Sequence, residues 1–512
     1  MDKKKSLLNI ASSIFSRVVL LFAALLVRRL LIQHIGNVAN GLNYLYTSII
    51  GMLAVAELGI GSAITYSMYK PIVDGETEKT AALYDLYKRL YRIIGCVVFC
   101  AGIVVLPFLP KLISDYENLS IDVYIPFLLT LVSVVLSYLY GAKSSLIQAH
   151  KNNYITTGIL TVCRLLCYSL QIITILIWQS FTLYLVCQII ETLFSWLLTE
   201  IVVRKKHGEV IENKRTIDET TKVEVVKNIK AMFMHKIGMV LVNAVDGFII
   251  SAFIGVVVLG KYSNYTMIVG VVVSIINLFF NPLTSVVAHL YATRDVKETK
   301  RWFDYFYSFN FIIGVVFFLG YYAVIDYVVR LCFGSGLEVS RSIAFIITLN
   351  QFSVFMRKTA LLFRDASGTF YYDRWKPIGE GVCNLVLSLV FVKVFPEEYR
   401  VVGVIVATII TDLFICHIVD PYVVYKHAFH MSVKEYYLRN YTYIVLFIFS
   451  LMGLHCLMQK ISSNAVGVIV NGCISAVVSL VVLGLVALVD TTFRNSVITM
   501  ARVAVRELKD GK

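Results

Sequence analysis

Six arginines, Arg17, Arg28, Arg29, Arg164, Arg357 and Arg364, stand inside or at the edge of long apolar runs, with Lys358 beside one of them. Two carboxylates, Glu57 and Asp246, are placed in the same way. Holding an ionisable side chain in hydrocarbon costs several kcal/mol, so such residues face a bundle interior or a wet cavity and mark a polar path. Arg17 and Arg28 are eleven residues apart on one predicted helix, which puts them within roughly 20° on one face and about 16 Å from each other. Arg29 is rotated away from that stripe. A guanidinium is a planar fork of donors that matches phosphate oxygens, so the stripe suits a phosphate-bearing ligand. The competing reading has Arg28 and Arg29 reaching the outer headgroups and Arg17 paired with an acid.

Arg357 and Arg364 also share a helix face, seven residues apart. They lie at the cytosolic end of their helix, where both membrane anchoring and ligand capture explain a basic cluster. Arg164 is deeper in its run and must find a carboxylate, a carbonyl or water; it is a candidate to line the same cavity. Glu57, in the stretch from Ala56 to Gly61, and Asp246, just before Gly247, are either paired with a buried arginine or titrated by a coupling cation, Na+ or H+. Glu191, Glu200, Asp412 and Asp420 are weaker candidates, several of them near helix ends. Pro282 is the candidate hinge, because proline removes a backbone hydrogen bond and bends a helix. Gly51, Gly59 and Gly61 serve bending or tight packing equally well.

No catalytic residues are assigned. The chain has no HExxH pair, no paired carboxylates on a soluble segment and no phosphate-binding Gly-Lys-Ser or Gly-Lys-Thr after its Gly334-Ser335-Gly336 cluster. An enzyme is therefore not expected, nor a cofactor or a bound metal. Its ten cysteines lie in or beside apolar runs with no CxxC spacing, and Cys163 and Cys167, on one face, read as core packing.

The elements that must position these residues are membrane spans. Hydrophobic residues form 58% of the 512 and charged ones 16%, with a mean hydropathy of +0.76, more apolar surface than a soluble domain can hide. Runs long enough to cross a bilayer fall at 7–32, 42–68, 91–112, 122–148, 154–178, 181–203, 236–257, 263–289, 304–332, 341–363, 378–395, 401–424, 441–458 and 465–489. The expectation is an all-α polytopic membrane protein of about 14 transmembrane helices. The net charge of +14 is spread over short loops with no aromatic-interleaved groove, so nucleic acid is not a predicted partner. Placing Lys3–Lys5 in the cytosol gathers most basic residues on that side, which predicts a multi-pass cell-membrane protein with both termini cytosolic. The first run is too long for a cleavable leader and has no small-residue cleavage site.

The run from Gly41 to Gly51 shares Gly, Tyr, Thr, Ile and Gly in register with that from Gly260 to Gly270. This predicts two six-helix lobes as parallel repeats, plus two C-terminal helices. The corresponding divisions are residues 1–203, a cytosolic linker at 204–235, a second lobe at 236–424, and 425–512 for helices 13 and 14 with a cytosolic tail.

Several stretches together resemble the polysaccharide-repeat-unit flippases (Wzx type) of the multidrug/oligosaccharidyl-lipid/polysaccharide exporter superfamily. They are Ala56-Glu57-Leu58-Gly59-Ile60-Gly61 running to Tyr69-Lys70-Pro71, Asp246 to Ser251 followed by Gly260 to Tyr265, Phe363-Arg364-Asp365-Ala366-Ser367-Gly368, Asp373-Arg374-Trp375-Lys376-Pro377, and Asn384-Leu385. The resemblance implies two six-helix lobes around a central cavity and basic cavity residues on the first helices, matching Arg17 and Arg28. It also implies alternating-access transfer of polyprenyl-pyrophosphate-linked oligosaccharide from the cytosolic to the outer leaflet, for capsule, exopolysaccharide or O-antigen synthesis. Membrane lipid, a polysaccharide polymerase and glycosyltransferases are the implied partners. The charged turn Glu397-Glu398-Tyr399-Arg400 departs from the glycine-rich one usual there. Two alternatives are a cation-coupled multidrug exporter of the same fold, which should carry acidic and aromatic cavity residues with few arginines, and a membrane polymerase or glycosyltransferase, which needs a larger extramembrane loop than this chain has.

Overall fold

The structure, a computed structural model, describes residues 3–54, 60–114, 116–212, 245–280, 283–458 and 465–510. Among these the regular elements are all helical. In order they are α1 (Lys3–His34), α2 (Asn37–Leu53), α3 (Ile60–Val73), α4 (Thr77–Val105), α5 (Tyr124–Ala149), α6 (Asn153–Trp178) and α7 (Phe181–Glu212). Then follow α8 (245–253), α9 (Val256–Phe280), α10 (Leu283–Thr293), α11 (Val296–Phe333), α12 (Arg341–Met356) and α13 (Lys358–Ala366). The series ends with α14 (Lys376–Val394), α15 (Arg400–Thr411), α16 (His417–Val424), α17 (Lys434–Met458), α18 (Ala465–Val489) and α19 (Thr491–Asp510). Ten helices among the described residues are long and apolar enough to cross a membrane. This is a multi-pass, all-α membrane architecture.

Among the described residues, helix occupies the fourteen apolar runs in the expected order, and one run is two helices where one was expected. The run 341–363 is α12 and α13, which meet at Arg357. The run 401–424 is interrupted by a π-helical turn at Asp412–Cys416, and a second follows α16 at Tyr425–Phe429. Such turns insert an extra residue into the helix ladder and re-aim the side chains after it. The terminal segment, expected as a tail, forms α19. Asp490 fixes its start: one carboxylate oxygen accepts from the Phe493 amide at 2.9 Å, while the other takes the Tyr443 hydroxyl at 2.6 Å and Arg439 Nε at 2.8 Å.

The chain divides into two compact units, Met1–Ser263 with Cys332–Gly334, and Asn264–Leu331 with Ser335–Lys512. The division runs inside α9, so α8 and the first turns of α9 belong with the first unit. Within that unit the turns leading into α2 and α9 are alike. Gly36 (φ 113°) and Gly255 (φ 131°) both occupy a backbone region that L side chains avoid, and each amide reaches back five residues, to Leu31 O at 3.1 Å and to Ile250 O at 2.9 Å.

The glycines of the sequence repeat also match in pairs. A Cβ on Gly41 would lie 2.0 Å from the Val256 carbonyl oxygen, and one on Gly260 would lie 2.7 Å from that of Asn37, so α2 and α9 cross with their backbones nearly touching. The second pair, Gly51 and Gly270, has open space at the same position. The crossing is tied by Asn37 Nδ2 to Val257 O (2.8 Å) and Asn40 Nδ2 to Gly260 O (3.1 Å).

The cores of the two units differ in kind. In the first, Tyr46, Tyr87 and Phe127 are fully buried, and the Tyr46 hydroxyl caps the Val123 carbonyl at 2.9 Å. In the second, an aromatic stack links Phe303, Tyr307, Phe311 and Tyr443, and Phe352 lies flat on Phe447 at 3.6 Å.

Candidate functional site

A cavity of about 560 Å³ opens among α2, α5, α6 and α7 of the first unit. Its walls are mainly amide and hydroxyl side chains. Asn43 and Thr47 come from α2, Tyr140 from α5, Tyr168 and Gln171 from α6, and Gln188 from α7. Arg164 and Glu191 supply the charges among the lining residues, facing each other from α6 and α7 with Nε and Oε1 2.9 Å apart. Glu191 keeps 9% of its side chain exposed and Arg164 45%, so the carboxylate sits in the wall while the guanidinium edge reaches the open space. Gln171 is 1% exposed; its Nε2 donates to the Tyr184 carbonyl at 3.2 Å, and no donor among the described residues reaches its Oε1. A buried acceptor without a donor costs about 1–3 kcal/mol, which a ligand hydroxyl or amide recovers.

The helices place these groups through ordinary packing. Ser133 and Thr192 join α5 to α7 through a hydroxyl pair at 3.1 Å, and Ser16 with Thr161 joins α1 to α6 at 2.6 Å. Below the cavity Lys143 on α5 and Glu200 on α7 form an ion pair, which Arg204 Nε completes at 2.5 Å. Lys143 also lies 5.2 Å from the Trp196 ring centre. Lys143 was missed by the sequence reasoning, although a lysine inside the apolar run 122–148, five residues from its end, is itself a signal.

The arginine stripe on α1 separates into two kinds of site. Arg28 donates through Nε to Asn40 Oδ1 at 2.8 Å and through Nη2 to Ser263 Oγ at 2.5 Å, and its guanidinium faces the Phe333 ring at 5.8 Å. It therefore staples α1 to the α2–α9 crossing. Arg17 is exposed and makes no hydrogen bond or ion pair among the described residues. Arg29 is exposed as well. Asp246 is buried on α8, and its neighbour Gly247 sits against Ser48 and Tyr44 of α2. Glu57, Gly59 and Pro282 lie outside the described residues.

The second unit brings Arg357 and Arg364 together, but around carboxylates. Arg357 reaches Asp412 at 2.5 Å and Asp420 at 2.9 Å, with Glu380 at 3.8 Å. Arg364 reaches Asp373 at 2.6 Å and Asp365 at 2.8 Å. Lys376 adds a third cation, 2.8 Å from Asp420 and 3.8 Å from Glu380. Asp412 also accepts from Ser353 at 2.5 Å and lies 3.3 Å from His417. The stretches Phe363–Gly368 and Asp373–Pro377, which carried part of the family resemblance, thus build a buried ion-pair network. Lys358, adjacent to Arg357, instead packs its ammonium over Phe280 at 5.3 Å. Glu380, Asp412 and Cys416 bring ligand atoms within 4.8 Å of one another, yet the Arg357 guanidinium already hydrogen-bonds Asp412 and lies 3.8 Å from Glu380. Its positive charge stands where a cation's would.

No family model matches the chain, and no curated protein matches it in sequence. Solved structures match its fold. The lipid II flippase MurJ, in an inward closed conformation, has a TM-score of 0.63 at 14% identity, covering 93% of this chain and 98% of that one. An inward-facing multidrug resistance MATE family transporter of the MOP superfamily has a TM-score of 0.59 at 13% identity over 81% of this chain and 99% of that one. The Vibrio cholerae MATE transporter VcmN has a TM-score of 0.56 at 12% identity over 84% and 98%.

Proposed function

We propose that this chain is a flippase of the Wzx type that moves polyprenyl-pyrophosphate-linked oligosaccharide units from the cytosolic to the outer leaflet, with both termini in the cytosol. Capsule, exopolysaccharide or O-antigen assembly would consume its product. The observation that carries the reading is the cavity among α2, α5, α6 and α7: a hydrogen-bonding pocket inside a unit made of lipid-crossing helices serves a polar passenger. The shared fold with a lipid flippase and with MATE transporters agrees with transport, and fold alone selects no substrate. A multidrug exporter of the same fold, the second reading, requires a free acid for cationic drugs. The cavity's acid, Glu191, is already neutralised by Arg164.

In this reading Arg17 meets the pyrophosphate, Arg28 holds the helices that frame the path, and the glycan occupies the cavity. The test is reconstitution in liposomes with a fluorescent polyprenyl-pyrophosphate glycan and a dithionite or lectin readout of its leaflet. Wild-type protein should move the glycolipid. Arg17→Ala should slow transfer about tenfold or more, the scale of one charge-assisted hydrogen bond, with an unchanged melting temperature. Transfer at the wild-type rate would remove the phosphate role. Asp246 is the proposed coupling residue, taking H+ or Na+. Asp246→Asn should transport at a rate indifferent to imposed proton or sodium gradients, and a mutant that still follows either gradient fully would retire the assignment.

A further inference from the structure

We propose that Glu191 makes the first unit's cavity a subsite for uncharged glycosyl groups and that it excludes acidic sugars. The inference rests on the flippase reading and deepens it by naming the class of sugar.

Arg164 and Glu191 are the charged residues in the cavity wall, and they cancel. A lone arginine there would draw a carboxylate or phosphate into the pocket. With Glu191 held 2.9 Å from Arg164 Nε, an incoming anion meets a carboxylate beside the one cation among the described lining residues, and must shed its water without a net countercharge. Hydroxyl and amide groups face no such cost. Gln171 Oε1 awaits a donor, and the hydroxyls and amides of Asn43, Thr47, Tyr140 and Gln188 border the same space. That set matches sugar hydroxyls and acetamido groups. The exposed edge of Arg164 retains donors for a neutral ring or carbonyl oxygen.

The test is binding to the full chain in nanodiscs, using two polyprenyl-pyrophosphate disaccharides identical except that one ends in a hexose and the other in the corresponding uronic acid. Wild-type protein should bind the hexose probe on the order of tenfold more tightly, a discrimination typical of like-charge juxtaposition. Glu191→Gln leaves Arg164 unopposed and should bring the uronic acid probe level with the hexose probe or ahead of it. Glu191→Asp should retain the wild-type preference. Gln188→Lys adds a net positive charge to the wall while keeping both Arg164 and Glu191, so it should favour the uronic acid probe even if Glu191→Gln does not fold. Equal binding of both probes by wild-type protein, or a preference that neither charge change moves, would overturn the selectivity while leaving the flippase reading intact. Binding of neither probe would overturn the flippase reading, and the selectivity with it.

Discussion

Arg357→Ala is expected to lower the stability of the second unit by about 3–5 kcal/mol, the cost of leaving a buried charge without its partner. Asp412 would lose its closest cation, with His417 3.3 Å away as the remaining neighbour, whereas Asp420 would lose one of two and keep Lys376 at 2.8 Å. The measurement is the midpoint of heat-induced aggregation of the purified protein in detergent, together with its yield in the membrane. Combining Arg357→Ala with Asp412→Asn should restore more than half of the loss, because the orphaned carboxylate is then gone while Asp420 stays paired with Lys376. If Arg357 served chiefly to capture a ligand, the single mutant would melt like wild type and fail only in transport. That outcome would remove the structural role assigned to the network.

The second large effect is expected at Gly41. An alanine there would press its methyl group to 2.0 Å from the Val256 carbonyl oxygen, and backbone, unlike a long side chain, cannot swing aside. Relief requires α2 and α9 to separate, which breaks the bonds from Asn37 to Val257 and from Asn40 to Gly260 and pulls Asn40 away from Arg28. We expect a loss of about 3 kcal/mol, at the upper end of overpacking costs. Gly51→Ala is the internal control. It meets nothing within 4 Å, and alanine gains up to about 1 kcal/mol over glycine in a helix interior, so its melting temperature should hold or rise. Equal behaviour of the two mutants would mean that the helices do not cross this closely.

The membrane spans and the repeat were readable from the chain because both rest on local regularities. Apolar runs of spanning length become helices wherever backbone groups have no water to bond, and the first pair of repeated glycines, Gly41 and Gly260, marks where two helices approach. The breaks were harder to see. At Met356–Lys358 neither proline nor glycine interrupts the run; the helix ends as Arg357 turns toward carboxylates 55 and 63 residues away in the chain. Partnership is a tertiary property, and that is why Arg164 and Glu191 could each be singled out without being joined. The face α6 presents to α7 depends on the register of two long helices, which composition does not set. The same limit applied to Arg357 and Arg364, expected on one helix face: the helix breaks at Arg357, and the carboxylates around both arginines were invisible. Gln171 offered no signal, since an amide in an apolar run is unremarked until its oxygen is found buried without a donor.

The Arg164–Glu191 pair also has an electrical consequence. A transporter that rearranges within a membrane potential does work on every charge it carries through the field, about 2.3 kcal/mol per elementary charge per 100 mV. An arginine moving alone would make the resting voltage favour one orientation of the empty carrier. In the proposed flippase, Arg164 locked to Glu191 moves as a dipole, and the pair crosses the field with no net charge displaced. Voltage then acts on the passenger and on any coupling ion rather than on the pocket. Current recorded from this site would report cargo.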